Sequence, residues 1–416
     1  MRTSSDKIMM GLDIGSSWVR SVIATISSDG SVTIDSLCEH PSEGVRSGSI
    51  VNIEQAIRAV NSVVNESEKE AGVTITQVLI GVGGDHIEGI PSQGVVGINA
   101  KDQEIKREDI FRSLEVARAF ELPVDREILH TLVQDFKVDG RDGIKDPVDM
   151  LGHRLESRVL VVTASSSVCQ NVRKSIQRAG YQVQRLFAQQ LADAEAVLSV
   201  EEKEMGTILI NLGGGTTNMI VYANGAPIFT GGVNIGSNHI TNDIAYILNK
   251  PRVIAEQVKC EYGNCHIPSV ANHETIIIPQ VGGLPSIKMP KKELSKIIEP
   301  RVAEIFSLLQ VELEKKQVRG SFGGGVVLVG GGALLSGATE LASEVFRLSS
   351  RIGFPEALSG LDRSYINPRY TTALGLVMTE AKRIKDQYAL VGTKAGYPKA
   401  SRKVRKSVTR FFKTVF

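Results

Sequence analysis

The run Thr207-Ile-Leu-Ile-Asn-Leu-Gly-Gly-Gly-Thr-Thr-Asn-Met-Ile-Val-Tyr222 decides how the rest of the chain is read. An apolar strand meets three glycines and two threonines, a second apolar strand follows, and Asn224-Gly225 supplies the next tight turn. Gly213, Gly214 and Gly215 let backbone N–H groups approach a ligand closely, and successive N–H groups form a nest for an anion. Thr216 and Thr217 add hydroxyls that suit phosphate oxygens, with Asn211 before the glycines and Asn218 after them. Three glycines also suit an ordinary hairpin, so this stretch alone leaves both readings open.

The pattern recurs roughly 200 residues earlier. Met9-Met-Gly-Leu-Asp13-Ile-Gly15-Ser16-Ser17-Trp-Val-Arg-Ser-Val-Ile-Ala24 runs from an apolar strand through a polar turn into a β-rich strand, and Asp29-Gly30 closes the next hairpin. Two such units predict two related lobes whose turns could clamp a polyphosphate from both sides. Asp13 is placed to hold a hard divalent cation through water. A third glycine turn, Gly330-Gly331-Gly332, ends the buried run Val326-Val-Leu-Val and precedes a helix, where a nucleoside or phosphate could approach the backbone.

These three turns resemble the phosphate-one, phosphate-two and adenosine motifs of the actin-like ATPase superfamily and, within it, the bacterial cell-division family FtsA. The resemblance spans nearly the full length. It implies an α/β, actin-like, two-lobed fold of duplicated RNase H-like domains, with an α+β insertion subdomain and a C-terminal amphipathic helix. It divides the chain into a subdomain 1A (1–84, 166–205 and 373–389), an insertion 1C (85–165), a subdomain 2A (206–236 and 321–372), a subdomain 2B (237–320), a linker (390–401) and a membrane-targeting helix (402–416). It also implies ATP and Mg²⁺ in the cleft. The nucleotide would sit among Asp13, Gly15, Ser16, Ser17, Asn211, Gly213 to Thr217, Asn218, Gly236 and Gly330 to Gly332, with Mg²⁺ held by Asp13 through water.

Between the motifs, Ala56, Ile57, Val60, Val63 and Val64 form a helical stripe, and Val78 to Val82 a short buried strand. The stretch Gly44 to Asn52 is similar to FtsA, although a plain surface loop explains it equally well. Residues 85–165 carry a strand at Gly94 to Ile98, an amphipathic helix from Arg107 to Phe120 and a long strand from Glu127 to Val138. The sequence from Ile128-Leu-His to Gly143-Ile-Lys-Asp-Pro147 looks like the subdomain that sets FtsA apart; another small α+β insert is the alternative. His130 and His153, without partner motifs, read as structural. Ser165 or Ser166 is positioned to cap a helix ended by Gly180. A further helix spans Ala192 to Leu198, and the Glu201 to Glu204 charge run reads as a solvated linker.

After Gly236 a helix with Ile240, Ile244 and Ile247 is expected, then one carrying Glu256 and Lys259 a turn apart. As a surface pair these two contribute little; by the resemblance they line the adenine and ribose pocket. A long helix over Lys292 to Lys316 has Pro300 early in it. Within Ile298-Glu-Pro300-Arg301-Val-Ala-Glu304-Ile, the likeness carries over Arg301 and Glu304 as receivers of the acidic C-terminal peptide of the tubulin-like protein FtsZ. A solvated i, i+3 pair is the alternative.

The formal net charge of +2 hides an asymmetry. Arg402, Lys403, Arg405, Lys406, Arg410 and Lys413 crowd the last sixteen residues without an acid, so the body is mildly acidic. Val404, Val408, Phe411, Phe412 and Val415 fall on one helical face, with Phe416 beside it. That pattern describes a helix lying in the plane of an anionic membrane. Each nearby cation contributes about 1 kcal/mol and each buried Phe or Val about 1–2 kcal/mol. Docking on the protein's own body is the alternative, and nucleic acid would leave the apolar stripe without a purpose.

Four scattered cysteines argue against a disulfide framework and for a reducing cytoplasm. Cys260, Cys265 and His266 lack the second pair a zinc site needs. The first residues show no apolar signal-peptide core, and no run of 18 apolar residues exists. Taken with the resemblance, the chain is expected to polymerise on the cytoplasmic face of the bacterial inner membrane at the division septum, tether FtsZ filaments there and recruit other divisome proteins. The phosphate-two motif usually begins with Asp where this chain has Asn211, so ATP binding with weak or absent hydrolysis is expected. A small-molecule kinase of the same superfamily and a pilus-assembly adaptor of PilM type are the rivals. The kinase lacks a recognisable catalytic aspartate here, and neither has a use for the tail.

Overall fold

In a computed structural model, residues 6–98, 103–280, 282 and 285–392 are described, with side chains to residue 385. The tail stripe, its cations and most of the expected linker therefore lie outside the described residues.

The first lobe opens with an antiparallel meander, β1 (Lys7–Ile14), β2 (Trp18–Ile26) and β3 (Val32–Pro41). A small hairpin, β4 (Val45–Arg46) and β5 (Ser49–Ile50), leads to α1 (Ile53–Ala71). Asn52 caps α1, its Oδ1 accepting from Gln55 N–H, and Gly72 ends it in the left-handed region. The expected stripe is buried through Ala56, Val60, Val63 and Val64, while Ile57 stays half-buried. β6 (Gln77–Val82) then pairs parallel to β1.

The insertion forms its own sheet of β7 (Glu88–Gly97), β8 (Arg126–Val138), β9 (Arg141–Ile144) and β10 (Arg154–Ser165), in the order β7-β10-β8-β9, with α2 (Arg107–Arg118) packed on it. α3 (Ser166–Arg178) returns the chain to β11 (Gln182–Ala188), completing the sheet β11-β6-β1-β2-β3. Ser165 stands at the α3 N-cap, but its hydroxyl bonds Ser167 Oγ rather than a helix N–H.

α4 (Gln189–Val197) starts three residues before its expected beginning. The charge run at Glu201 is not a linker but a short helix, α5 (Val200–Met205), closed by a capping box between Ser199 and Glu202. The second lobe then repeats the first. β12 (Thr207–Leu212), β13 (Thr217–Ala223) and β14 (Ala226–Val233) make the meander, and α6 (Ser237–Ile247) and α7 (Arg252–Tyr262) follow. The hairpin β15 (Thr275–Ile278) and β16 (Ile287–Pro290) leads into α8 (Lys291–Lys315). β17 (Val326–Val329), α9 (Ala338–Phe346) and β18 (Ser350–Ile352) complete a sheet ordered β14-β13-β12-β17-β18. In both lobes a meander is extended by two parallel strands on the side of its first strand, so the two-lobed expectation holds.

Pro300 lies well inside α8, past its first turn, where it removes one helical N–H. The buried ridge Leu294, Ile298, Val302, Ile305, Phe306 and Leu309 offsets that loss. Ile247, expected on the buried stripe of α6, is exposed at the helix end. α10 (Thr371–Gly392) closes the body and extends past residue 390, where the linker was expected to begin. It crosses α4 so closely that a Cβ on Gly375 would stand 1.9 Å from Ala192 O.

His130 on β8 is buried against the Phe187 ring, and its Nε2 accepts from Ala188 N–H at 3.0 Å. Burial, with Arg185 nearby, brings its pKa down to about 3. The unfolded chain therefore takes up this proton first. The stabilisation is complete above about pH 6.5 and is lost as pH falls towards 3, by about 1.4 kcal/mol per pH unit. In His130→Gln, whose amide oxygen can accept the same N–H, the thermal midpoint should fall less steeply between pH 6.5 and 4.5 than in the unmodified protein. Equal slopes would refute the assignment.

Candidate functional site

The parallel strands β1, β6 and β11 of one lobe and β12 and β17 of the other end around one cleft, the usual place for a ligand on α/β sheets. The cleft encloses about 510 Å³, within the range of small-molecule sites, roughly 300–1,000 Å³. Asp13, Gly15, Ser16, Ser17, Asn211, Gly213 to Thr216, Asn218, Glu256, Lys259 and Gly330 to Gly332 all line it.

The two phosphate-type turns face one another. A Cβ on Gly214 would lie 2.2 Å from Ser17 Oγ, and one on Gly215 would lie 2.5 Å from Ser16 Oγ. Ser17 Oγ donates to Asn238 Oδ1 at 3.2 Å, joining β1–β2 to the start of α6. Ser16 Oγ accepts from Gly48 N–H at 3.1 Å, which brings the Gly44–Asn52 stretch to the rim. Thr216 and Thr217 part company at the strand's alternation of faces. Thr216 lines the cleft, but Thr217 turns away and donates to Ile235 O at 2.7 Å. Gly236 also lies off the cavity wall, packed against the Gly213 and Gly214 carbonyls.

Asp13 is nearly buried and accepts from Gln189 Nε2 at 2.8 Å. Burial raises its pKa, while Arg20 and Gln189 pull the other way. Glu256 and Lys259 sit at the far wall. Lys259 Nζ bonds Glu256 Oε2 and Thr241 Oγ1, both at 2.8 Å, and Ser237 O at 3.3 Å. Burial works to raise the Glu256 carboxyl, yet Lys259 and Thr241 outweigh it and hold the pKa down.

Four residues at the floor escaped the sequence reading. Gln189 bridges Asp13 and, through Oε1 at 3.4 Å, Asn218 Nδ2. Asp193, Thr371 and Thr372 form a buried cluster beneath Asn211. Burial pushes the Asp193 carboxyl up to about 6, against its hydrogen bonds from Asn211, Thr371 and Thr372. Gln189 begins the helix after a parallel strand, a position at which a ligand-facing side chain is to be expected once β11 is placed.

A family model described as cell division protein FtsA matches residues 208–375, and a model for the SHS2 domain inserted in FtsA matches 84–163. The chain is 40% identical to the cell division protein FtsA of Borreliella burgdorferi over 92% of each chain. It is 36% identical to that of Pseudomonas aeruginosa over 94% of each. The chain belongs to the FtsA family. It is thus a cell-division protein with an actin-like fold and an SHS2-type insertion. Solved structures agree on the fold. A PilM–PilN type IV pilus biogenesis complex superposes with a TM-score of 0.62 at 17% identity, covering 90% of this chain and 98% of that one. MreB5 of Spiroplasma citri bound to ADP gives 0.56 at 14% identity, covering 92% and 98%.

Gly330 of this FtsA-family chain holds φ +83° and ψ 170°, a region open essentially to glycine alone. A Cβ there would meet Asn211 Oδ1 at 2.4 Å and Leu212 O at 2.8 Å. Gly330→Ala should cost about 1–3 kcal/mol and lower the thermal midpoint by several degrees, as read by calorimetry. An unchanged midpoint would show that the loop re-forms on another backbone.

Proposed function

We propose that the cleft binds an adenine nucleotide with Mg²⁺ and that bound nucleotide licenses self-association on an anionic membrane, where the protein tethers FtsZ and recruits other divisome proteins. The observation that carries this reading is the pair of glycine-serine and glycine-threonine turns facing each other across a cleft flanked by the Glu256–Lys259 pair. The backbone N–H groups of Gly214 and Gly215, with Ser16 and Ser17, would hold phosphates, Gly213 N–H being taken by Thr216 O at 3.0 Å, and Glu256 and Lys259 would meet the ribose and adenine. Among the described residues no three His, Cys, Asp or Glu side chains cluster as direct metal ligands. A cation would be held through water by Asp13, oriented by Gln189, in the manner of Mg²⁺. When bound, Mg²⁺ would neutralise phosphate charge. Asn211 removes one carboxylate from the cleft, so turnover is expected to be slow or absent.

Arg301 on α8 is held by both carboxylate oxygens of Asp243, at 2.6 and 3.0 Å, and by Glu304. An acidic FtsZ peptide would take over this half-exposed guanidinium from Asp243. The membrane step is assigned to residues 402–416. Family membership favours this reading over the kinase and pilus-adaptor alternatives, since the likeness to the pilus protein extends to fold alone.

Calorimetric titration with MgATP tests the cleft. Lys259→Met, which leaves Glu256 unpaired, should weaken binding at least about tenfold; unchanged affinity would remove Lys259 from the site. Sedimentation with anionic liposomes and MgATP tests the tail. The full chain should pellet and a chain lacking 402–416 should stay in solution. If neither pellets, the tail serves another partner.

A further inference from the structure

The cleft floor contains a carboxylate to which the nucleotide reading gives no task. Asp193, in the first turns of α4, has no exposed surface and accepts three hydrogen bonds. One comes from Asn211 Nδ2 at 2.6 Å, one from Thr371 Oγ1 at 2.7 Å and one from Thr372 Oγ1 at 2.8 Å. The three donors belong to β12 and to the first turn of α10, so one side chain gathers three elements. Asn211 Nδ2 also lies 3.4 Å from Thr372 Oγ1.

An ionised carboxylate only accepts, so it selects the nitrogen end of a neighbouring amide. With its nitrogen committed to Asp193, Asn211 must turn Oδ1 the other way. That oxygen lies beside the Gly330 and Gly213 backbones, both on the cleft wall. The two ends of an amide are alike in shape and opposite in hydrogen bonding. Without Asp193 a flipped amide would present a donor to the cleft in place of an acceptor.

The same contact limits what position 211 can carry. An aspartate there would direct one carboxylate oxygen at the Asp193 carboxylate across 2.6 Å, and two ionised carboxylates so close cannot coexist. This chain keeps one acid and one amide in the pair, with the acid at 193.

We propose that Asp193 is a positioning residue that fixes Asn211 with its amide oxygen towards the cleft, so that acceptance of a magnesium nucleotide depends on the acid–amide pair rather than on either residue alone. This rests on the nucleotide reading above.

The test uses four full-length proteins: the unmodified chain, Asp193→Asn, Asn211→Asp and the exchange variant carrying both. Each is titrated with ATP in Mg²⁺ and in EDTA by calorimetry, and its thermal midpoint is recorded. Asp193→Asn, with the amide free to flip, should lose about three- to tenfold in MgATP affinity while its affinity in EDTA stays within about twofold. Asn211→Asp should lose about tenfold or more with Mg²⁺ and melt several degrees lower. The exchange variant should return to within about threefold of the unmodified protein, a strongly non-additive outcome. Losses that simply multiply, or an Asn211→Asp protein that binds as well as the original, overturn the proposal. If Asn211→Asp does not fold, the exchange variant decides: recovered folding and MgATP binding support the pair, and failure of either overturns it. An unmodified chain that does not bind MgATP overturns the nucleotide reading and this proposal together, whereas a binding chain with additive variants overturns this proposal alone.

Discussion

At the cleft the two lobes approach closely because Gly214 and Gly215 carry no side chain. The hydroxyls of Ser17 and Ser16 occupy the space that two β-carbons would fill. From that approach the rest of the cleft follows. Gly213 and Gly214 offer their carbonyls to the N–H groups of Ser237 and Asn238, at 2.9 and 2.8 Å, so the start of α6 is set by a turn two strands earlier in the chain. α6 in turn presents Thr241 to Glu256 and Lys259 on α7. Gly84 N–H, at the end of the first lobe's sheet, reaches Asn218 Oδ1 at 2.8 Å and ties the far side of the same turn. Where glycine backbone forms the cleft wall, close approach comes at the cost of tolerating almost no substitution.

Much of this was legible from the sequence because the informative signals are local. Apolar strands that end in glycine, Asn-Gly and Asp-Gly turns, and the repeat of both about 200 residues apart are properties of short windows. The insertion's long strand and helix were visible for the same reason. What escaped depends on pairing across the fold. Gln189, Asp193 and Thr372 are separated from Asp13 and Asn211 by between 18 and 176 residues of chain, and no spacing rule joins them. Thr217 was misplaced because a turn sequence does not say where strand alternation begins. One step further along, Thr216 faces the cleft and Thr217 faces Ile235. The helix α5 is a different case. Its Ser199-to-Glu202 capping box was present in the sequence, and the charge run beside it drew the reading towards a linker.

The insertion sheet does more than decorate the first lobe. Gln134 on β8 donates to Pro227 O at 3.0 Å, Lys145 donates to Asn224 O, and Lys316 at the end of α8 pairs with Glu88 on β7 at 2.7 Å. Each contact joins the insertion to the second lobe. The exposed Lys316–Glu88 pair contributes little by itself, and the other two are single hydrogen bonds to backbone carbonyls, so the joint is a guide to position more than a source of stability. It leaves the cleft as the place where the lobes are held by backbone and buried polar groups, and the insertion as a lateral brace.

α10 begins on the cleft floor, where Thr371 and Thr372 bond Asp193, and continues as one helix to Gly392. Its 22 residues span about 33 Å. The close crossing with α4 at Gly375 and Ala192 lies near its first turn. The helix is packed along its length, from Ala373 and Leu374 near the floor to Ala381 and Ile384 further out, so it moves with the first lobe as one body. A rotation of that lobe by about 3° about the cleft floor would carry the helix's far end, about 33 Å away, by roughly 1.7 Å. A rotation of the lobe at the cleft is therefore felt most at the outer end of this helix.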